Sequence, residues 1–110
     1  MHLDYFEVDV FATTAFSGNP LAVIAGADEL STEQMQRIAN WINFSETTFL
    51  LHPTTADADY RVRIFTPHEE FAFAGHPTLG TARVFCELTG HTGDLVQECG
   101  VGLVDIKEER

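Results

Sequence analysis

The sequence predicts an α+β domain in which a curved mixed sheet wraps around one buried central helix. Two observations carry this expectation. The segment from Pro77 to Thr89 is apolar around most of its circumference, with Leu79, Ala82, Val84, Phe85, Cys86 and Leu88 leaving only Gly80, Arg83 and Glu87 as a narrow open stripe. A helix of that kind is buried. Strand-like segments lie on both sides of it in the chain, enough to build a sheet that covers it. At 110 residues there is room for one domain with its own core.

Each element has a local reason. Leu3–Phe11 is rich in aromatic and β-branched residues and reads as a first strand. Phe16-Ser-Gly-Asn-Pro20 is a turn, and Leu21–Ala25 a short buried strand. Ser31 caps a helix, with Gln34 three residues on in the capping-box position and Met35, Ile38, Trp41 and Ile42 assigned to its buried face. Glu46–Leu51 returns to strand, and PTTADAD is a polar loop. Tyr60, Val62 and Ile64 alternate with Arg61 and Arg63, the pattern of a half-exposed strand. Gly90 stops the second helix, and Asp94–Glu98 and Val101–Lys107 form a final strand pair around Gly100.

Composition narrows the function classes. Hydrophobic residues make up 45% of the chain, ordinary for a globular protein. No apolar run approaches the ~20 residues that cross a bilayer. The amino-terminal segment carries acids where a secretory signal carries Lys or Arg, so a cytoplasmic protein without membrane association is expected. The formal charge is −11, with 6 basic against 17 acidic residues. A nucleic-acid binder needs a basic stripe, and there is none. An anionic substrate must therefore be drawn by a local feature against the overall field. Cys86, Cys99 and the five histidines lack metal-ligand spacing, so no metal is expected.

The local feature is FAGHPTLGT, residues 73 to 81. Gly75 supplies either an unusual backbone angle or room for a close approach. Pro77 suits the first helical position, where its missing N–H costs nothing. His76 then stands at the helix mouth, beside amides without intrahelical partners, where anions are attracted. Its plain alternative role is to cap the helix through a ring nitrogen. The second feature is NFSETTFLL, residues 43 to 51, where Glu46 opens an apolar strand. Either its carboxylate lies near the core, where burial would raise its pKa toward that of a useful general acid, or it points to solvent at a strand edge.

Three segments, FSGNPLAV from Phe16, NFSETTF from Asn43 and FAGHPTLGTA from Phe73, resemble the PhzF-like family of phenazine-biosynthesis isomerases, in the family's order. The likeness runs from VDVF at Val8 to the strands after the second helix. It implies the fold of diaminopimelate epimerase: two similar halves, each a sheet around a central helix, with the active site between them. It implies that Glu46 is the proton-shuttling acid/base and that Gly75 and His76 line a pocket for a small carboxylate substrate, with Asn19 at its border. The implied reaction is a cofactor-free isomerisation by acid/base catalysis, a proton moved between carbons of a small cyclic or amino carboxylic acid.

Two departures accompany the resemblance. Relatives that use a thiol pair carry a cysteine where this chain has Ala74, whereas Cys86 and Cys99 read as packing residues, so thiol-based epimerisation is disfavoured. Ala72 stands where the family commonly has Pro, leaving the loop less constrained. Family members are about twice this length, so residues 1–110 correspond to a single domain, the N-terminal half, with the second half absent. The chain is then expected to associate with another copy or with a second domain, through an apolar face around Phe44, Phe71 and Phe73. The alternative function is a non-catalytic small-anion-binding or interaction domain that retains the fold.

Overall fold

Leu21, Ala22, Val23, Ile24 and Ala25 are all buried, and a strand with no polar side must be covered on both faces. The computed structural model describes residues 2–10 and 19–107, and it supplies that cover with two helices. The elements are β1 (Asp4–Val10), β2 (Asn19–Ala25), α1 (Thr32–Ile42), β3 (Glu46–Leu51), β4 (Tyr60–Phe65), β5 (Glu70–Phe71), α2 (Gly75–Thr89), β6 (Leu95–Cys99) and β7 (Gly102–Ile106). The sheet runs β1-β2-β3-β4-β6-β7, with β5 attached to β4. β2 beside β3 and β4 beside β6 are parallel, and the other neighbours are antiparallel. The predicted α+β class, built on a mixed sheet, is the class observed.

The two faces of the sheet hold two cores. Leu21, Val23, Leu50, Tyr60, Val62, Ile64 and Leu95 pack with Ala82 and Val84 of α2. Ile24, Phe49, Leu51 and Phe65 pack with Met35 and Ala39 of α1. Within β3 the alternation sends Thr48 and Leu50 toward α2 and Phe49 and Leu51 toward α1. Glu46, two residues before Thr48, shares the α2 face.

Helix α1 starts as predicted. Ser31 accepts from the Gln34 amide at 3.1 Å while the Gln34 side chain accepts from the Ser31 amide at 2.9 Å, a complete capping box. Its buried face is Met35, Ile38, Ala39 and Ile42. Trp41, assigned to that face from the sequence, is 86% exposed. Six residues from Met35 amount to about 600°, well off the apolar stripe.

Helix α2 begins at Gly75, two residues earlier than expected. Pro77 is therefore the third helical residue, which is tolerated because no first-turn N–H has an intrahelical acceptor. The helix buries one side rather than its whole circumference. Gly80, expected on the open stripe, is buried with Pro77, Thr78, Thr81, Ala82 and Val84, while Leu79 and Leu88 are exposed. Small residues let the helix settle close onto the sheet, and the two leucines turn outward with Arg83 and Glu87. Gly90, at φ 74°, ends the helix as predicted, its amide donating to Cys86 O.

The short strand β5 was not foreseen. It exists because β4 has one edge left after pairing with β3, and two partners divide that edge. β6 pairs with Tyr60 and Arg61, while β5 pairs with Ile64 and Phe65. Arg63 fixes β5 with a two-pronged ion pair, Nε and Nη2 donating to the Glu70 carboxylate at 2.8 and 2.7 Å, and Nη2 also reaches Thr32 Oγ1 at 3.0 Å. This pairing raises the Arg63 pKa above its ordinary value. Residues 72–74 then enter α2 beside the β6–β7 turn, where a Cβ on Gly100 would lie 2.7 Å from Ala72 Cα.

The predicted strand Leu3–Phe11 matches β1, with Phe11 outside the described residues, as are residues 16–18 of the expected turn. Asn19 opens β2 rather than sitting in a turn. Strand β3 and the last hairpin fall where expected, within a residue or so.

Two glycines of this region should behave oppositely. Gly100→Ala should destabilise the fold by about 1–3 kcal/mol, because the Ala72 backbone cannot yield cheaply. Gly75→Ala, where no atom lies within 4 Å of a built Cβ, should cost no stability. Urea unfolding of the two variants checks both.

Candidate active site

Glu46 and His76 meet across the first turn of α2 and the start of β3. His76 Nδ1 lies 2.7 Å from Glu46 Oε1, and the two side chains are only 14% and 18% exposed. Of the two sequence alternatives for Glu46, the solvent-facing one is excluded. The N-cap position is Ala74, which makes no side-chain cap bond, and the His76 ring meets the Glu46 carboxyl. His76 Nε2 also approaches Asn19 O, at 3.4 Å. The structure thus brings together Glu46, His76 and the backbone of Asn19, three of the four site residues named from the sequence. Gly75, the fourth, is the first residue of α2, with an ordinary backbone angle and open space beside it. Of its two sequence readings, only room for a close approach survives.

The bonding pattern constrains the proton. Asn19 O can only accept, so that contact requires hydrogen on Nε2. Nδ1 then either accepts from a protonated Glu46 or, in the imidazolium, donates to the carboxylate. In both arrangements one hydrogen lies between Nδ1 and Oε1. A carboxyl with a proton-exchanging partner at hydrogen-bond distance is suited to give and take a proton in turn.

Hydroxyl groups seat α2 over this pair. Thr48 Oγ1 and Thr81 Oγ1 are 2.8 Å apart in the buried interface, and Thr81 also donates to Pro77 O at 2.7 Å. A second buried line runs from Tyr60, whose hydroxyl donates to Gln97 Oε1 at 3.0 Å, through Gln97 Nε2, which donates to Thr78 Oγ1 at 3.4 Å. Thr78 Oγ1 in turn donates to Ala74 O at 2.7 Å. Sequence reasoning missed these residues. The available signal was Gln97, a polar side chain two residues after Leu95 and so on the same inward face of a strand. Cys86 and Cys99 pack against the core, as expected.

Phe71 and Phe73 are 40% and 41% exposed next to the helix entry, whereas Phe44, grouped with them from the sequence, is half-buried. Two cavities, of about 180 and about 550 Å³, lie elsewhere, one against the far end of α2 near Tyr60 and Phe85, the other along α1 near Trp41. Among the described residues no cluster of His, Cys, Asp or Glu could hold a metal ion, and no helix is long and apolar enough to cross a membrane.

Comparison with known proteins gives this geometry a family. The model of the PhzC-PhzF family, described as phenazine biosynthesis-like protein, matches residues 8–110. The chain belongs to this family. It is 50% identical over 103 residues to antisense-enhancing sequence 1 of Schizosaccharomyces pombe, covering 91% of this chain and 35% of that protein. It is 46% identical over 108 residues to the trans-2,3-dihydro-3-hydroxyanthranilate isomerase of Pseudomonas chlororaphis, covering 96% of this chain and 37% of that enzyme. The crystal structure of the Bacillus anthracis phenazine biosynthesis protein of the PhzF family superposes with a TM-score of 0.84 at 35% identity, covering 97% of this chain and 36% of that one. The chain thus spans little more than a third of the length of these relatives, a smaller share than the half implied by the resemblance.

Tyr60 gives this layer a pH signature. Burial, foremost, pushes its phenol well above the ordinary value. The folded state holds that proton more tightly than the unfolded one, so the stability Tyr60 contributes is fully present below about pH 10, the ordinary phenol value, and is lost as pH rises beyond it. Tyr60→Phe should cost about 1–2 kcal/mol at pH 8. In urea titrations the gap between wild type and variant should narrow from pH 9 to pH 11.

Proposed function

We propose that this chain carries the general acid/base of a cofactor-independent isomerase, which moves a proton between carbons of a small cyclic or amino carboxylic acid. The observation that carries this reading is the half-buried Glu46–His76 pair at 2.7 Å, placed at the uncapped mouth of α2. Glu46 in its carboxylate form takes a proton from a substrate carbon, and the electron pair left behind spreads into the adjacent unsaturated system. The same carboxyl, now protonated, delivers the proton to a second carbon. His76 holds the carboxyl in place and exchanges its proton with it. The substrate carboxylate lies at the first turn of α2, where the Gly75 and His76 amides stand at helical positions that no intrahelical carbonyl reaches and the helix dipole favours negative charge. Asn19 borders the pocket through its backbone. Membership of a family with a relative named as an isomerase of trans-2,3-dihydro-3-hydroxyanthranilate supports that substrate class, and the reading is of a cytoplasmic enzyme.

The test is proton exchange. Incubation with trans-2,3-dihydro-3-hydroxyanthranilate in deuterated water, followed by NMR, should place deuterium on a ring carbon. Glu46→Gln should slow this by about 10²–10⁴-fold, the usual range for a general acid/base. Exchange that persists in Glu46→Gln removes Glu46 from this role. Carboxylate binding without any exchange in the wild type favours the alternative reading, a small-anion-binding domain that retains the fold.

The reading includes a partner surface. Phe71, Phe73 and Leu79 are each 40–49% exposed near the helix mouth, and apolar groups clustered beside a site mark an interface. A twofold dimer across this face is the simplest closure. Light scattering at micromolar concentration should report a dimer that Leu79→Lys dissociates; a strictly monomeric chain overturns the dimer.

A further inference from the structure

The entry to α2 is held by side chains more than by its backbone. Thr78 N is the first amide that can close a helical turn, and it lies a long 3.3 Å from Ala74 O. The Thr78 hydroxyl meets the same carbonyl at 2.7 Å. This residue therefore closes the first turn, the turn that carries Gly75 and His76, mainly through Oγ1.

That hydroxyl is itself held from below. Gln97 is fully buried on β6, where an amide side chain is costly unless bonded at both ends. Its Oε1 accepts from Tyr60 and its Nε2 donates to Thr78 Oγ1. Every donor in the line points one way, from the Tyr60 hydroxyl to Gln97, to Thr78 and to Ala74 O. Hydrogen bonds aligned in this manner reinforce one another in a low-dielectric interior. Since the hydroxyl proton of Thr78 is directed at Ala74, its lone pairs are left for Gln97, and the rotamer is fixed from both sides. The line starts on the sheet strand at the centre of the α2-side core and ends on the peptide that begins the helix.

We infer that Thr78, backed by Gln97 and Tyr60, is a positioning residue that keeps the first turn of α2 closed and thereby holds the His76 ring on Glu46. It acts through the backbone between residues 74 and 78, which it bonds at Ala74 O. The inference deepens the isomerase reading and takes its catalytic meaning from it, but the geometry it concerns exists without substrate.

The test therefore reads the pair directly. Imidazole ¹H–¹⁵N correlation spectra report whether Nδ1 of His76 is engaged with a carboxyl, and Glu46→Gln in the unliganded protein supplies the reference for the broken pair. Thr78→Val, close to isosteric, should move the His76 ring resonances toward that reference and speed hydrogen exchange of the residue-78 amide by about 10-fold or more. Thr78→Ser, which keeps the hydroxyl, should restore both. Tyr60→Phe removes only the far donor and should shift the ring signals in the same direction by less, which keeps the test alive if Thr78→Val fails to fold. A Thr78→Val protein that is less stable but leaves the His76 resonances at their wild-type positions overturns the inference and reduces Thr78 to packing. So does a Tyr60→Phe protein with unmoved signals where Thr78→Val does not fold. If the wild type catalyses no exchange, the isomerase reading falls while the ring signals still decide this one. If Glu46→Gln abolishes exchange and the ring signals never move, the reverse holds.

Discussion

The contact on which the arrangement turns is the one between Thr48 and Thr81, two buried hydroxyls 2.8 Å apart where α2 lies on β3. It pins one point of the helix to one point of the strand. From that point Glu46 is two residues back along β3, about 6–7 Å at strand rise. His76 is five residues back along α2, about 7–8 Å at helix rise. Two nearly equal steps toward the same end bring the carboxyl and the imidazole to 2.7 Å. A register change of one residue in β3 would send Glu46 to the opposite face, and a helix shifted by one residue would rotate His76 away by about 100°. The small residues that surround the pin, Gly80 and Ala82 among them, are what allow so close a seat.

Much of the architecture was legible because it follows from local chemistry. The capping box at Ser31 and Gln34, the apolar strand from Glu46 and the stop at Gly90 need no tertiary information. The misassignments have a common origin. Trp41 and Leu79 are large and apolar, and counting apolar residues around a helix gave them buried positions. In the folded chain, shape decides: α2 buries small residues because they let it approach the sheet, and its leucines are left outside. β5 escaped notice because two residues carry no periodicity, and its existence depends on how much edge β4 has left.

The site was legible as residues and not as a constellation. Resemblance pointed to Glu46 and His76, but nothing in the sequence joins residues 30 positions apart. Their contact depends on the seat of α2, and so do the supporting groups. Tyr60, Gln97 and Thr78 lie in three different elements, and their alignment into one line of hydrogen bonds emerges only from the parallel pairing of β4 with β6.

Both parallel strand pairs, β2 with β3 and β4 with β6, are bridged by a helix, and the two helices lie on opposite faces. The hairpins of this chain can form early from near neighbours, but each crossover must close a long loop before its contacts repay the lost entropy. Glu46 lies on β3, ahead of the second crossover, and His76 lies on the helix inside it. No fragment short of the docked helix brings them together, so during refolding their bond is made only when α2 seats on the sheet. The Glu46–His76 pair is in this sense a marker of docking: a chain caught before that step has strands and helices but lacks this contact.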